Sequence, residues 1–133
     1  MRARAREPVA EWRSKPCLVR GKSVYEKREE SDGVRILATR YWPRGIARAV
    51  IDEYLRLLSP SRELLHGFRD GRVTWDDFSD RYRKEMAGET QRAEIHRLAK
   101  LARSQIVTIM CVCKEPVNCH RSLLCELIQR FDD

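Results

Sequence analysis

No apolar run in this chain of 133 residues approaches the roughly 20 residues that a membrane-spanning helix needs. The first residues, MRARAREPVAEW, are basic and lack the apolar central stretch of a secretory leader, so a cytoplasmic location is expected. The sequence shows no internal repeat, low-complexity tract or linker, and its length suits one domain with a single sizeable core. The cysteines number five, an odd count, and three of them crowd one short segment. That argues against a disulfide framework and for free thiols or a metal site.

Charge is plentiful: 35% of residues are charged and the formal net charge is +7. A positive excess admits an anionic partner, nucleic acid included. Its distribution points elsewhere. Residues 104–133 hold Lys114, Arg121 and Arg130 against Glu115, Glu126, Asp132 and Asp133, so the excess lies in the first hundred residues, mixed with acids. A solvated, ion-paired surface explains that pattern better than a nucleic-acid footprint.

Residues 1–15 read as a flexible basic arm and residues 16–133 as one α/β domain. Cys17–Tyr25 suits a short strand; Asp32-Gly33 marks a turn; Val34–Thr39 suits a mostly buried strand. Tyr41-Trp42-Pro43-Arg44-Gly45 then breaks the chain. Val50, Ile51, Tyr54, Leu55 and Leu58 recur at helical spacing and predict a helix, with Ser59 and Pro60 as cap and first residue of another carrying Leu64, Leu65 and Phe68. Thr74 is a credible N-cap, with Asp76 and Asp77 in a favourable first turn and Trp75, Phe78, Tyr82 and Met86 as a core stripe. Gly88 is expected to end that helix, and Glu89–Arg103 to form the next. Gln105–Val112 is the clearest strand, an uncharged run typical of a central strand covered on both faces. A final helix follows over Cys119–Phe131. Helices between strands predict a small, mostly parallel sheet flanked by helices in a three-layer-like domain.

The segment Ile106–Arg121, IVTIMCVCKEPVNCHR, concentrates the chemistry. Asn118 is expected to cap the last helix, placing Cys119, His120 and Arg121 in its first turn, where unpaired amides and the positive end of the dipole favour an anion. Arg121 adds a forked donor suited to phosphate or carboxylate. In that setting Cys119 is a candidate low-pKa nucleophile and His120 a candidate acid, base or donor. The loop falls beyond the carboxyl end of a strand, where open parallel sheets bind ligands.

Three readings stay open. Cys111, Cys113, Cys119 and His120 have the ligand types for zinc, though their spacing is unfamiliar and adjacent helical residues diverge by about 100°. Cys119 or Cys111 is instead a nucleophile or redox thiol over an anion pocket, or the cluster is structural. A phosphatase-type loop is excluded, since the sixth residue after Cys111 is Val117 and after Cys113 is Cys119 rather than Arg. Cys17 and Cys125 read as core residues, His66 and His96 as surface or half-buried ones. Arg40 and Arg44 flank an aromatic-proline corner after a strand and can grip a phosphate, a nucleotide or a nucleic-acid strand, or else lie solvated.

Several segments carry a resemblance. Val24-Tyr25, Asp32-Gly33-Val34-Arg35-Ile36-Leu37 and Arg40-Tyr41-Trp42-Pro43-Arg44-Gly45 resemble the opening of the domain of unknown function 488 family, the YeaO-like proteins. Ser59-Pro60-Ser61-Arg62-Glu63-Leu64, Phe78-x-x-Arg81-Tyr82-x-x-Glu85-Met86 and Cys119-His120-Arg121-Ser122-Leu123-Leu124 are similar to later family segments, in the family's order, across Ser23 to Ile128. The resemblance implies a small α/β protein and no established activity. By position it suggests Arg40, Arg44, Cys111, Cys119, His120 and Arg121 as site residues. Two departures stand out: Thr39 replaces an Asp frequent in the family, and Cys113 replaces a frequently charged residue. The resulting expectation is an anion site, for phosphate or a nucleotide, at the start of the last helix, with thiol-based catalysis, nucleic-acid binding and zinc as competing uses. No cofactor is required by the first of these.

Overall fold

The computed structural model describes residues 15–113 and 118–131. The arm expected over 1–15 therefore falls outside the described residues except for Lys15. Among the described residues, four strands form one sheet: β1 (Val19–Ser23), β2 (Val34–Leu37), β3 (Glu53–Tyr54) and β4 (Val107–Cys111). Four α-helices accompany them: α1 (Arg62–Arg69), α2 (Trp75–Met86), α3 (Glu89–Leu101) and α4 (His120–Gln129). The strand order is β1-β4-β2-β3 and every pair is parallel, as helices between strands predict. No helix among the described residues is long and apolar enough to cross a membrane.

β4 is central, and all five of its residues are buried. A strand paired on both edges and covered on both faces has no place for charge, which explains its uncharged sequence. Alternation along the pleat divides the two faces. Val107 and Ile109 of β4, with Ile36 and Ala38 of the second strand segment, join the main core with Leu64, Phe78, Tyr82, Leu98 and Leu124 from the helices. Met110 and Leu37 point the other way, into a smaller cluster closed by Val24, Trp42, Ile46, Ile51 and Tyr54. The third layer is thus irregular chain, whereas the α-helices gather on the first face.

The helix expected from Val50 to Leu58 does not form. Its place is taken by two single 3-10 turns, Arg48–Val50 and Arg56–Leu58, on either side of β3. The open edge of β2 wins this competition. Asp52 N donates to Arg35 O at 2.9 Å, Leu55 N to Leu37 O at 2.8 Å, and the Asp52 carboxylate accepts from Arg35 N at 2.8 Å. β-branched Val50 and Ile51 lose little by leaving a helix.

Three caps also shift. Ser61, rather than Ser59, caps α1, accepting from Leu64 N at 3.2 Å, while Ser59 Oγ closes the preceding turn on Arg56 O. Ala87 is the C-cap of α2 and Gly88 opens α3 as its N-cap. Thr74 caps α2 as its sequence predicts, accepting from Asp77 N at 3.2 Å. The Asp32-Gly33 turn is also as expected: Gly33 has φ +62°, and a Cβ there would stand 2.2 Å from Ile106 O. Only glycine fits both demands.

The surface carries paired charge. Arg97 meets Glu53 and Glu94, Arg83 meets Asp80 and Glu126, and Arg72 meets Asp70. His66 and His96 are half-buried, and Cys17 and Cys125 pack against the main core.

Candidate functional site

The carboxyl ends of β2 and β4 lie side by side, with Leu37 opposite Met110 and Ala38 N donating to Met110 O at 3.1 Å. Beyond them the chain opens into a cavity of about 410 Å³. Topology explains the place: β2 and β4 run in one direction, so both following loops emerge at one rim.

The thiol end is built by β4 and α4. Cys111 is the last residue of β4, on the pleat face that meets the helices, and Cys119 is the N-cap of α4. Asn118, expected as that cap, instead has φ 57° and turns the chain into Cys119. Short polar side chains tolerate this left-handed geometry. The result brings Cys111 Sγ within 2.9 Å of Cys119 Sγ. Cys113, exposed two residues beyond the strand, completes a group in which the three sulfurs lie within 4.8 Å of one another.

The three thiols do not share charge equally. The exposed Cys113 is held well below the ordinary thiol range because the Cys111 and Cys119 thiols hydrogen-bond to it, with Arg121 adding favourable potential. Cys111 is raised to about 11, foremost by its hydrogen bond to Cys113. Cys119 is pushed far up by hydrogen bonds to both other sulfurs and by burial. Against the expectation of a low-pKa Cys119, the direction of its shift is upward, and the exposed Cys113 is the member of the group whose shift favours the charged form.

His120 lines the cavity beside this group. Its Nε2 lies 2.5 Å from Ala38 O. A carbonyl only accepts, so Nε2 carries the proton and Nδ1 is left as the basic atom of a neutral ring. Burial lowers the pKa of His120, which keeps the ring neutral near pH 7. Its edge rests on Tyr82, with ring centroids 5.8 Å apart. Tyr82 is fixed in turn by donating to Leu58 O at 2.7 Å.

The cationic side comes from other elements. Arg40, Arg44 and Arg69 line the same cavity. Arg40 commits Nε and Nη2 to Pro60 O, at 3.2 and 3.1 Å. Arg44 is exposed, and its carbonyl accepts from Tyr25 Oη at 2.9 Å, which pins the corner after β2. Arg69 was missed at the level of sequence. Its signal is helical spacing, since Leu65 and Arg69 are four apart on α1 and both reach the cavity. Trp42, Pro43, Leu65, Phe68 and Phe78 give an apolar wall between the arginines and the thiols. Thr39 also lines it, its hydroxyl donating to Tyr41 O at 2.7 Å, so the residue that departs from the family's Asp shapes the turn.

Arg121 is not part of that lining. It is 3% exposed, its stem lies against Gly21, and Nη1 donates to Cys113 O at 2.9 Å and to Cys111 Sγ at 3.7 Å. The guanidinium expected to grip the ligand stands behind the cysteine loop, where it fixes the backbone of Cys113 and biases the sulfurs.

Residues 19–131 match the family described as "Active DUF488-N3 subclade". The chain is 34% identical over 110 residues to the uncharacterised protein YeaO of Escherichia coli, covering 81% of this chain and 94% of that one. It is 30% identical over 112 residues to the uncharacterised proteins Mb3100c of Mycobacterium bovis and Rv3073c of Mycobacterium tuberculosis, covering 83% of this chain and 92% of each. No solved structure gives a significant match. The chain belongs to the DUF488 family of YeaO-like proteins.

Proposed function

We propose that this protein is a thiol-dependent enzyme acting on a small anionic, nucleotide-like substrate. The observation that carries the reading is the single cavity shared by Cys113 with its two partner thiols, by His120, and by Arg40, Arg44 and Arg69. Arg44 and Arg69 bind the anionic group, and Arg40 supports them from the corner. Trp42 and Phe68 take the flat apolar body of the substrate. The Cys113 thiolate attacks an electrophilic centre, forming a carbon–sulfur or phosphorus–sulfur bond as the leaving group departs with its electron pair. Water then breaks that bond, giving its proton to Nδ1 of His120 and restoring the thiolate.

The test is alkylation by iodoacetamide, mapped by mass spectrometry, with and without adenosine monophosphate. One adduct on Cys113 is expected, slowed about tenfold when the nucleotide stands at ten times its Kd. Equal labelling of all the cysteines, unaffected by nucleotide, would overturn the reading.

A second reading rests on the groove beside α1, of about 450 Å³, that Arg62, Arg72 and Arg81 line together with Glu63 and Glu85. With Arg69 nearby on α1, arginines outnumber carboxylates there, which suits a nucleic-acid strand whose end enters the cavity. Its mark is affinity for single-stranded RNA or DNA that falls steeply with salt. Absence of binding at low ionic strength removes it.

A further inference from the structure

The cysteine group has a second chemical competence that nucleophilic catalysis does not use. Three sulfurs, from the end of the central strand, from the chain two residues beyond it and from a helix cap, lie within 4.8 Å of one another, two of them buried and the third exposed. Among the described residues no carboxylate or imidazole belongs to that group. The imidazole expected as a fourth ligand, that of His120, is not a member of the group, and its Nε2 is held on Ala38 O. A donor set of sulfur alone discriminates sharply: it suits thiophilic ions and offers nothing to magnesium or calcium.

We infer that Cys111, Cys113 and Cys119 form a three-sulfur binding site for a soft divalent cation of the zinc or cadmium kind. With metal–sulfur bonds of about 2.3 Å, tetrahedral geometry separates two sulfurs by about 3.8 Å. Cys111 and Cys119 Sγ, 2.9 Å apart, have to open slightly, while Cys113 is drawn inward from the surface. The three sulfurs already lie within 4.8 Å of one another, so the movement asked of each is small. Exposed Cys113 supplies the entry path, and three protein ligands leave a fourth position open.

Arg121 fits this use as closely as the sulfurs do. Three thiolates around a divalent ion leave one excess negative charge, buried on one side. The Arg121 guanidinium stands behind the group, with Nη1 3.7 Å from Cys111 Sγ and 2.9 Å from Cys113 O. It offsets that charge, donates to a ligand sulfur and holds the Cys113 backbone, which is how outer partners orient metal ligands. The metal occupies the sulfur that the proposed reaction requires, so bound ion and covalent catalysis exclude one another. The site is a place where a soft cation switches the thiol off.

Titration of the reduced, full-length protein with cadmium, followed by thiolate-to-cadmium charge-transfer absorption, tests this. A band that saturates at one equivalent is expected, undiminished by excess magnesium. Exposed Cys113→Ser should abolish it with the circular dichroism of the fold intact, and Cys17→Ser and Cys125→Ser should leave it unchanged. No band at one equivalent, or a band that survives Cys113→Ser, would overturn the inference. Alkylation of the metal-free protein separates the two proposals. Rapid labelling of Cys113 without cadmium binding removes the metal site alone, and cadmium binding with sluggish labelling removes the catalytic reading alone.

Discussion

Two polar clusters are buried in this molecule, and they differ in how fully their groups are matched. On the irregular-layer side of the sheet, Asp32 is fully buried. It accepts from Lys22 Nζ at 2.9 Å, from Glu29 N at 3.0 Å, from Arg20 and from the Arg35 guanidinium. Arg35 uses its Nε on Val50 O at 2.7 Å, and Thr108 closes the group by donating to Asp32 O at 2.6 Å. Every charge there meets a partner, although a cavity of about 330 Å³ lined by Glu29 and Arg35 adjoins it. At the rim of β2 and β4, the exposed Cys113, His120 and three arginines line a cavity of about 410 Å³. Buried charge therefore does not mark a site in this fold; reactive groups left facing a cavity do.

The largest expected effect is on the closed cluster. Asp32→Ala leaves Arg35 and Lys22 uncompensated and should cost about 3–5 kcal/mol in chemical denaturation. Burial raises the Asp32 pKa, but the hydrogen bonds from Lys22, Glu29 and Arg35 and the charge of Lys22 outweigh it, so the net shift is downward. A folded pKa below the unfolded one stabilises the protein above the unfolded carboxylate value of about 3.9 and loses that contribution as pH falls through the folded value. Asp32→Asn should accordingly flatten the acid limb of the stability curve. If Cys113→Ser proves as destabilising as Asp32→Ala, the contrast between the clusters fails, because losing an exposed side chain should cost less than leaving a buried charge without its partner.

A smaller effect is expected where the two roles touch. Tyr82→Phe removes the donor to buried Leu58 O and should cost about 1–3 kcal/mol, read from thermal unfolding. His120, resting on that ring, should keep its neutral state, visible in its imidazole NMR shifts. Smaller still, Arg69→Ala should weaken adenosine monophosphate about tenfold by calorimetry, equal to about 1.4 kcal/mol, with stability unchanged. Unaltered nucleotide affinity would take Arg69 out of the site.

The contrast also explains what could be read in advance. β4 and the three longer helices were legible because their patterns are local: an uncharged run from Val107, a Thr74 cap, a stripe from Phe78 to Met86. β3 was not, since Glu53 and Tyr54 are held by the edge of a strand some fifteen residues earlier, and helical spacing around them outvoted that distant partner. The site was legible as a cluster, and its internal arrangement was not. Sequence placed Cys119 and Arg121 near a helix start; only the fold shows Cys119 Sγ packed on Cys111 Sγ, Arg121 standing behind the cysteines, and Cys113 left exposed. Arg69 lay hidden because its approach to the rim depends on how α1 packs.

The central claim is that Cys113 is a thiolate at neutral pH, held so by its two neighbours. Its rate of alkylation by iodoacetamide in the reduced, metal-free protein, followed residue by residue across pH, tests that most directly. The account predicts a rate on Cys113 that stays level within about twofold from roughly pH 6 to 8. A rate climbing about tenfold per pH unit toward the ordinary thiol value of about 8.5 would contradict it.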